Sequence, residues 1–297
     1  MRDYGRPLEF GYFLTPDAAS YPQLITTAQR AEQMGLDLIG IQDHPYQARF
    51  LDTWTLLTAV AVQTTRLRLF ADVANLPLRP PAVLAKSAAS LDIMSGGRVE
   101  LGIGAGAYWE AIAAMGGPTR TPGEAVAALE EAVQVIRLQW SSQRAVFFKG
   151  TFYQLRGVHP GPAPAHPIGL WIGAYGPKML DLTGRLGDGW APTLSYLKLE
   201  QLPSMQQRID EGAVGAGRDP AAIQRIINVG GQITDGQNDG FLKGPVDRWI
   251  EDLTRLTLDY GLDSYIFAGS PDQQLDRFAQ EVAPAVREQV ARERRSR

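Results

Sequence analysis

Only once in this sequence do an imidazole and a carboxylate stand side by side, at Asp43-His44, directly after the apolar run LDLIGI at 36–41. Imidazole is the side chain whose proton moves near neutral pH, and a neighbouring carboxylate can hold its tautomer and raise its pKa. The pair reads as a general acid or base with an orienting partner. The competing reading makes Asp43 a cap for the following helix and His44 a packed loop residue. A second candidate is GAYGPKM at 173–179, where Pro177 occupies a first helical position. Unpaired N–H groups at such a terminus attract anions, Gly176 lets a phosphate come close, and Lys178 adds a point charge. An ordinary turn with an exposed lysine is the alternative, and Gly230-Gly231 offers a second place for phosphate.

A third stretch, LDIMSGGRVELGIGAG at 91–106, reads as a helix stopped by Gly96 or Gly97, a strand over 99–103 buried on both faces, and then Gly104-Ala105-Gly106. Glycines past the carboxyl end of a buried strand leave the backbone bare for something planar or anionic, unless they serve only as tight turns. Tyr12, Phe13, Trp54, Tyr108, Trp109, Tyr175 and Trp190 fall at or after strand ends, and together would suit a flat heteroaromatic guest.

These residues need a frame that gathers strand ends. Apolar runs at 8–14, 36–41, 67–73, 99–103, 168–172, 188–192, 223–233 and 264–268 read as strands, each followed by a segment of helical spacing. Helices are expected at 21–35, 54–63, 83–94, 108–115, 122–140, 176–186, 199–214, 246–260 and 271–292. Eight β-α units without a linker favour an α/β fold of the closed (β/α)8 TIM barrel type, one domain over 1–297, whose sites gather at the carboxyl ends of the strands. Residues 141–167 break the pattern with a β-hairpin (145–148 and 151–155) and a proline-rich connector, an insertion between the fourth and fifth units. That insertion and the polar loop 235–244 are expected to overhang the mouth and choose the substrate.

Composition narrows the chemistry. The 297 residues include no cysteine, which removes thiol nucleophiles and thiolate metal sites, and only three histidines, His44, His159 and His166. No metal site is expected, since nothing has ligand spacing. A net charge of -3 with interspersed signs proposes neither nucleic acid nor an anionic membrane as partner. The start, MRDYGRPLEFGYF, lacks an apolar signal segment, so a cytoplasmic protein is expected, and the tail ARERRSR reads as a solvated or frayed helix end.

With these residues assembled, the chain resembles the luciferase-like flavin and deazaflavin oxidoreductases, the superfamily of bacterial luciferase. The carriers are GLDLIGIQDH, the block VANLPLRPPAVLAKSAASLDIMSGGRVELGIGAG, and IGAYGPKMLDLTGRLGDGW. The resemblance covers nearly the whole length and implies a TIM barrel holding its cofactor across the strand ends, often as a homodimer. Asp43-His44 and Gly176-Pro177-Lys178 look like the branch that uses coenzyme F420, an 8-hydroxy-5-deazaflavin. There the histidine serves the substrate's proton and the glycine-proline-lysine turn takes the cofactor phosphate. The resemblance also implies a bulge with a non-prolyl cis peptide at Asp72-Val73, behind the deazaflavin, where the family often has a smaller residue than aspartate.

On this footing His44 is the general acid or base and Asp43 its orienting partner, with Glu110 a substrate-side carboxylate. The cofactor-binding residues are Asp72, Val73, Asn75, Gly104, Ala105, Gly106, Gly173, Ala174, Tyr175, Gly176, Pro177, Lys178 and Met179. The expected reaction is hydride transfer between F420 and a small organic substrate. Two alternatives stay open: an FMN-dependent monooxygenase using oxygen and reduced flavin from a partner reductase, and a non-catalytic cofactor-binding barrel. A cofactor-free sugar-phosphate isomerase would leave the glycine-rich strand ends without a role.

Overall fold

The computed structural model describes residues 3–237 and 239–296. In chain order its strands are β1 (Glu9–Leu14), β2 (Leu38–Ile41), β3 (Arg68–Ala71), β4 (Ala74–Asn75), β5 (Val99–Gly104), β6 (Val146–Lys149), β7 (Gln154–Val158), β8 (Leu170–Gly173), β9 (Gly189–Trp190), β10 (Gln224–Val229), β11 (Gln232–Ile233), β12 (Lys243–Gly244) and β13 (Ser264–Phe267). The helices are α1 (Tyr21–Gln33), α2 (Thr53–Gln63), α3 (Pro81–Ser95), α4 (Trp109–Ala114), α5 (Pro122–Gln139), α6 (Pro177–Leu186), α7 (Leu202–Gly215), α8 (Val246–Leu258), α9 (Gln273–Arg277) and α10 (Ala283–Ser296).

Eight of the strands pair in parallel as a closed ring, β1-β2-β3-β5-β8-β9-β10-β13, with β13 returning to β1. This is the expected (β/α)8 barrel, and the eight anticipated runs supply its eight staves. The lumen is filled rather than open: Leu38, Phe70, Trp171, Ala191, Ile226 and Ile266 pack together inside it. Phe70 and Trp171 meet edge to face at 4.9 Å. Gly96 stops α3 in the left-handed conformation, as the sequence requires.

Several boundaries differ, each for a local reason. The long strand expected over 223–233 leaves the barrel after Val229, because Gly231 passes so close to the backbone of Leu242 that a Cβ there would lie 2.0 Å from its oxygen. Gln232–Ile233 then pairs with Lys243–Gly244 in a separate ladder. The last helix is not continuous; α9 and α10 are joined by a π turn at Phe278–Val282. The basic tail is docked rather than frayed, since Arg294 holds Asp3 through two 2.7 Å bonds and donates to the Arg6 carbonyl. Asn238 of the polar loop and Arg297 of the tail lie outside the described residues.

The hairpin of the insertion is present as β6 and β7, with a register shift at Val146 and Phe147. It is anchored on α5. Val146 and Leu155 pack on Val135 of α5, and the Glu131 carboxylate of the same helix collects the N–H groups of Thr151, Phe152 and Tyr153. Among the described residues no helix is long and apolar enough to cross a membrane.

Candidate active site

The carboxyl ends of β2, β3, β5 and β8 bring most of the anticipated residues to one mouth. His44 follows β2 and is half-buried; its Nδ1 lies 2.6 Å from the Tyr46 hydroxyl, and its Nε2 makes no hydrogen bond among the described residues. Tyr108, in the left-handed region at φ 57°, turns its ring edge-on to His44 with centroids 5.8 Å apart. Burial lowers the imidazole below its usual value, and the charge of Asp43 opposes that without overcoming it. The expected rise is therefore a fall, and His44 is neutral at neutral pH.

Asp43 is also placed at the mouth, but it does not orient His44. Its buried carboxylate receives Arg79 Nε at 2.6 Å on Oδ2 and Arg79 Nη2 at 2.7 Å on Oδ1, and the Asn75 N–H on Oδ2 at 2.9 Å. A forked guanidinium and a backbone donor leave little for a third partner. Nor is Asp43 the helix cap: Asp52 caps α2 by accepting from the Thr55 N–H, and binds Arg79 as well. Arg79 and Tyr46 were not foreseen. No local spacing links Asp43 to an arginine between prolines 36 residues later.

The Asp72-Val73 peptide is cis, at the position the resemblance implies. The chain leaves the third stave there and rejoins the ladder at β4, where Ala74 and Asn75 pair with Ile103 and Gly104. Val73 changes the meaning of the glycines. A Cβ at Gly104 would meet Val73 Cγ2 at 2.9 Å, and one at Gly173 would meet it at 3.1 Å. At Gly106 a Cβ would strike Pro77 and Trp109 at 2.7 Å. At Gly104, Gly106 and Gly173 the side-chain direction is thus filled by protein, while all three residues stay partly accessible. Gly176 is different: nothing lies within 4 Å of a Cβ built there. It is the N-cap of α6 without a side-chain cap, Pro177 has no N–H to give, and the exposed Lys178 has no partner among the described residues. The turn the sequence offered for an anion is therefore open, whereas a Cβ at Gly231 would meet the Leu242 backbone.

Asp72, Asn75 and Asn228 are each less than 10% exposed, and each keeps one oxygen with no hydrogen-bond partner. Burial pushes the Asp72 carboxyl up to about 7, with an Asn228 hydrogen bond pulling the other way. Asn228, on β10, was not singled out in the sequence because it sits inside the apolar run IINV. Ala174 is buried and accepts from the Trp190 indole; Met179 is half-buried, and Ala105 packs partly buried against the core.

Glu110 opens α4 exposed and with no partner among the described residues; from that loop it is Tyr108 that reaches His44. Of the aromatic residues expected to greet a guest, Tyr12, Trp54 and Trp190 are buried in the core, while Tyr108 and Tyr175 stay exposed. The other two histidines are elsewhere: His159 binds the Arg144 carbonyl in the insertion, and His166 binds Asp92 near the amino end of β5.

Known proteins match this chain. The family model described as Luciferase-like monooxygenase matches residues 8–239. An F420-dependent glucose-6-phosphate dehydrogenase of Kineococcus radiotolerans is 33% identical over 240 residues, covering 76% of this chain and 68% of that enzyme. A 5,10-methylenetetrahydromethanopterin reductase of Archaeoglobus fulgidus is 30% identical over 285 residues, 95% of this chain and 77% of the reductase. Among solved structures, an F420-dependent secondary alcohol dehydrogenase in complex with an F420-acetone adduct is similar with a TM-score of 0.84 and 21% identity, over 95% of this chain and 99% of that one.

Proposed function

This chain belongs to the luciferase-like monooxygenase family, and from that premise we propose that it is an oxidoreductase moving a hydride between coenzyme F420 and a small organic substrate. Similarity above 30% to an F420-dependent dehydrogenase supports the cofactor. The residues present fit such a group: the open turn at Gly176, with the Lys178 and Met179 N–H groups of the uncapped α6, would take its phosphate. Val73 and Tyr175 would border the ring. When bound, the deazaflavin supplies a carbon that takes up or gives a hydride and, lacking the flavin nitrogen, disfavours one-electron chemistry with oxygen.

The observation that carries the reading is His44 at the mouth, lowered by burial, with an Nε2 that has no hydrogen-bond partner among the described residues. A hydride leaving an alcohol carbon requires a base for the hydroxyl proton, and Nε2 is that base; in reduction the protonated nitrogen returns it. Asp43 contributes indirectly, by fixing Arg79 and the Asn75 backbone so that the loop carrying His44 keeps its place.

Absorption and fluorescence titrations with F420 and with FMN test the cofactor. His44→Ala should lower turnover roughly 10²- to 10⁴-fold while F420 affinity is retained. Rapid oxygen uptake with reduced FMN and no binding of the deazaflavin would overturn the proposal, and unchanged turnover in His44→Ala would remove the histidine from it.

A further inference from the structure

His44 has a partner that this reaction does not yet use. Its Nδ1 meets Tyr46 Oη at 2.6 Å, the two rings stand edge-on with centroids 5.4 Å apart, and Tyr108 packs against Tyr46 at 6.0 Å. Among the described residues no carboxylate bonds the imidazole, and both oxygens of Asp43 are taken by Arg79. A hydroxyl behaves differently from a carboxylate in that place: it accepts from an Nδ1–H or donates to a bare Nδ1, so it supports either neutral tautomer. Tyr46 itself is only half-buried.

Resting on the hydride-transfer reading above, we propose that Tyr46 is a positioning residue for His44 and the outward step of its proton relay. In the oxidising direction Nε2 takes the substrate's hydroxyl proton, Nδ1 gives its proton to Tyr46 Oη, and Tyr46 releases its own hydroxyl proton to water. One proton has then crossed from substrate to solvent, the imidazole is neutral in its other tautomer, and no charge is left in the site. Solvent exchange restores the first tautomer once the product has gone, and the same transfers reversed deliver a proton for reduction. The other titratable groups around the ring are Asp43, on the same loop and neutralised by Arg79, and Tyr108 from the loop after β5.

The test is nitrogen-15 NMR of the free protein, with the His44 signals identified by their loss in His44→Gln. In the wild type both ring nitrogens should show shifts averaged between the two tautomers. In Tyr46→Phe, which keeps the ring packing, one tautomer should dominate. The His44 midpoint should fall by roughly 0.4 to 1 pH unit, because the bond that the hydroxyl accepts from the imidazolium is stronger than its bond to the neutral ring. A fluorotyrosine at position 46, more acidic but still hydroxylated, should move the midpoint without collapsing the tautomers, which a loss of packing would not do. Identical tautomer populations and midpoints in wild type and Tyr46→Phe would overturn the relay. F420 affinity, followed by fluorescence in both proteins, should be equal. If neither protein bound F420 while the His44 shifts behaved as described, the hydride-transfer reading would fall and the coupling of His44 to Tyr46 would stand.

Discussion

Asp72 gives the sharpest test of how this mouth is built. It is 8% exposed, its Oδ2 has no partner, and that oxygen would lie 2.9 Å from a Cβ on Gly40. Burial raises its carboxyl to about 7, partly offset by the Asn228 hydrogen bond. An unfolded aspartate titrates near ~3.9, so between that value and about 7 the folded chain holds a proton that the unfolded chain has released. Stability associated with Asp72 is therefore greatest in acid, declines as pH rises through this window, and levels off above about 7. At 1.36 kcal/mol per pKa unit, raising pH from 5 to 8 costs the wild type roughly 2 to 3 kcal/mol at this one residue. Asp72→Asn keeps the shape, cannot ionise, and places an N–H beside Asn228, whose own Oδ1 lacks a donor. Asp263 and Glu100 also have raised values, but they are common to both proteins and cancel in the difference. Urea unfolding at pH 5 and pH 8 should thus show the wild type losing ~2 to 3 kcal/mol more than Asp72→Asn. Parallel pH dependence in the two proteins would refute the argument that burial raises the Asp72 carboxyl.

Gly176 has φ -82° and open space where a Cβ would sit, so Gly176→Ala should melt like the wild type yet bind F420 roughly tenfold more weakly, about 1.4 kcal/mol; equal affinity by fluorescence titration would move the phosphate elsewhere. Arg79→Ala leaves Asp43 buried with a single backbone donor, and should cost ~3 kcal/mol in urea unfolding at pH 7, toward the lower end for a broken buried pair because Asp52 is half-exposed. A loss below ~1 kcal/mol would mean that the bridge behaves as a surface pair. Since burial lowers His44, the acid limb of kcat/KM for alcohol oxidation should lie below the ordinary histidine value of ~6.5; a limb above it would contradict a desolvated, neutral base.

The barrel was legible because eight apolar runs alternate with helical spacing, a pattern that survives errors of a few residues at each end. Where the reading of the fold overran, at 223–233, the apolar pattern continues through Ile233 while the chain has already turned at Gly231 to meet Leu242. Within the site, residue types were legible and their partners were not. A glycine announces a missing side chain without saying what fills the space, so Gly104, Gly173 and Gly176 look alike in sequence. Val73, swung inward after the cis bond, fills the first two and leaves the third open. Adjacency likewise suggested Asp43 for His44, but the planar guanidinium of Arg79 outcompetes an imidazole for both carboxylate oxygens.

These pairings divide the mouth into two electrical zones. Asp43, Arg79 and Asp52 form a charged lock beside the β2 loop whose members answer one another. The groups left to meet a ligand are neutral at pH 7 or carry positive character: His44 lowered by burial, Tyr46 raised to about 12, and the uncapped end of α6 with Lys178. Asp72 is the exception, a carboxyl raised to about 7 by burial, and it lies by the Val73 bulge. An ionised Asp72 would set a negative charge by a ligand that itself carries phosphate, with no cation among the described residues paired to it. The same desolvation that makes its ionisation costly to the fold therefore keeps the floor of the site compatible with an anionic, planar guest, and the two properties should be lost or kept together.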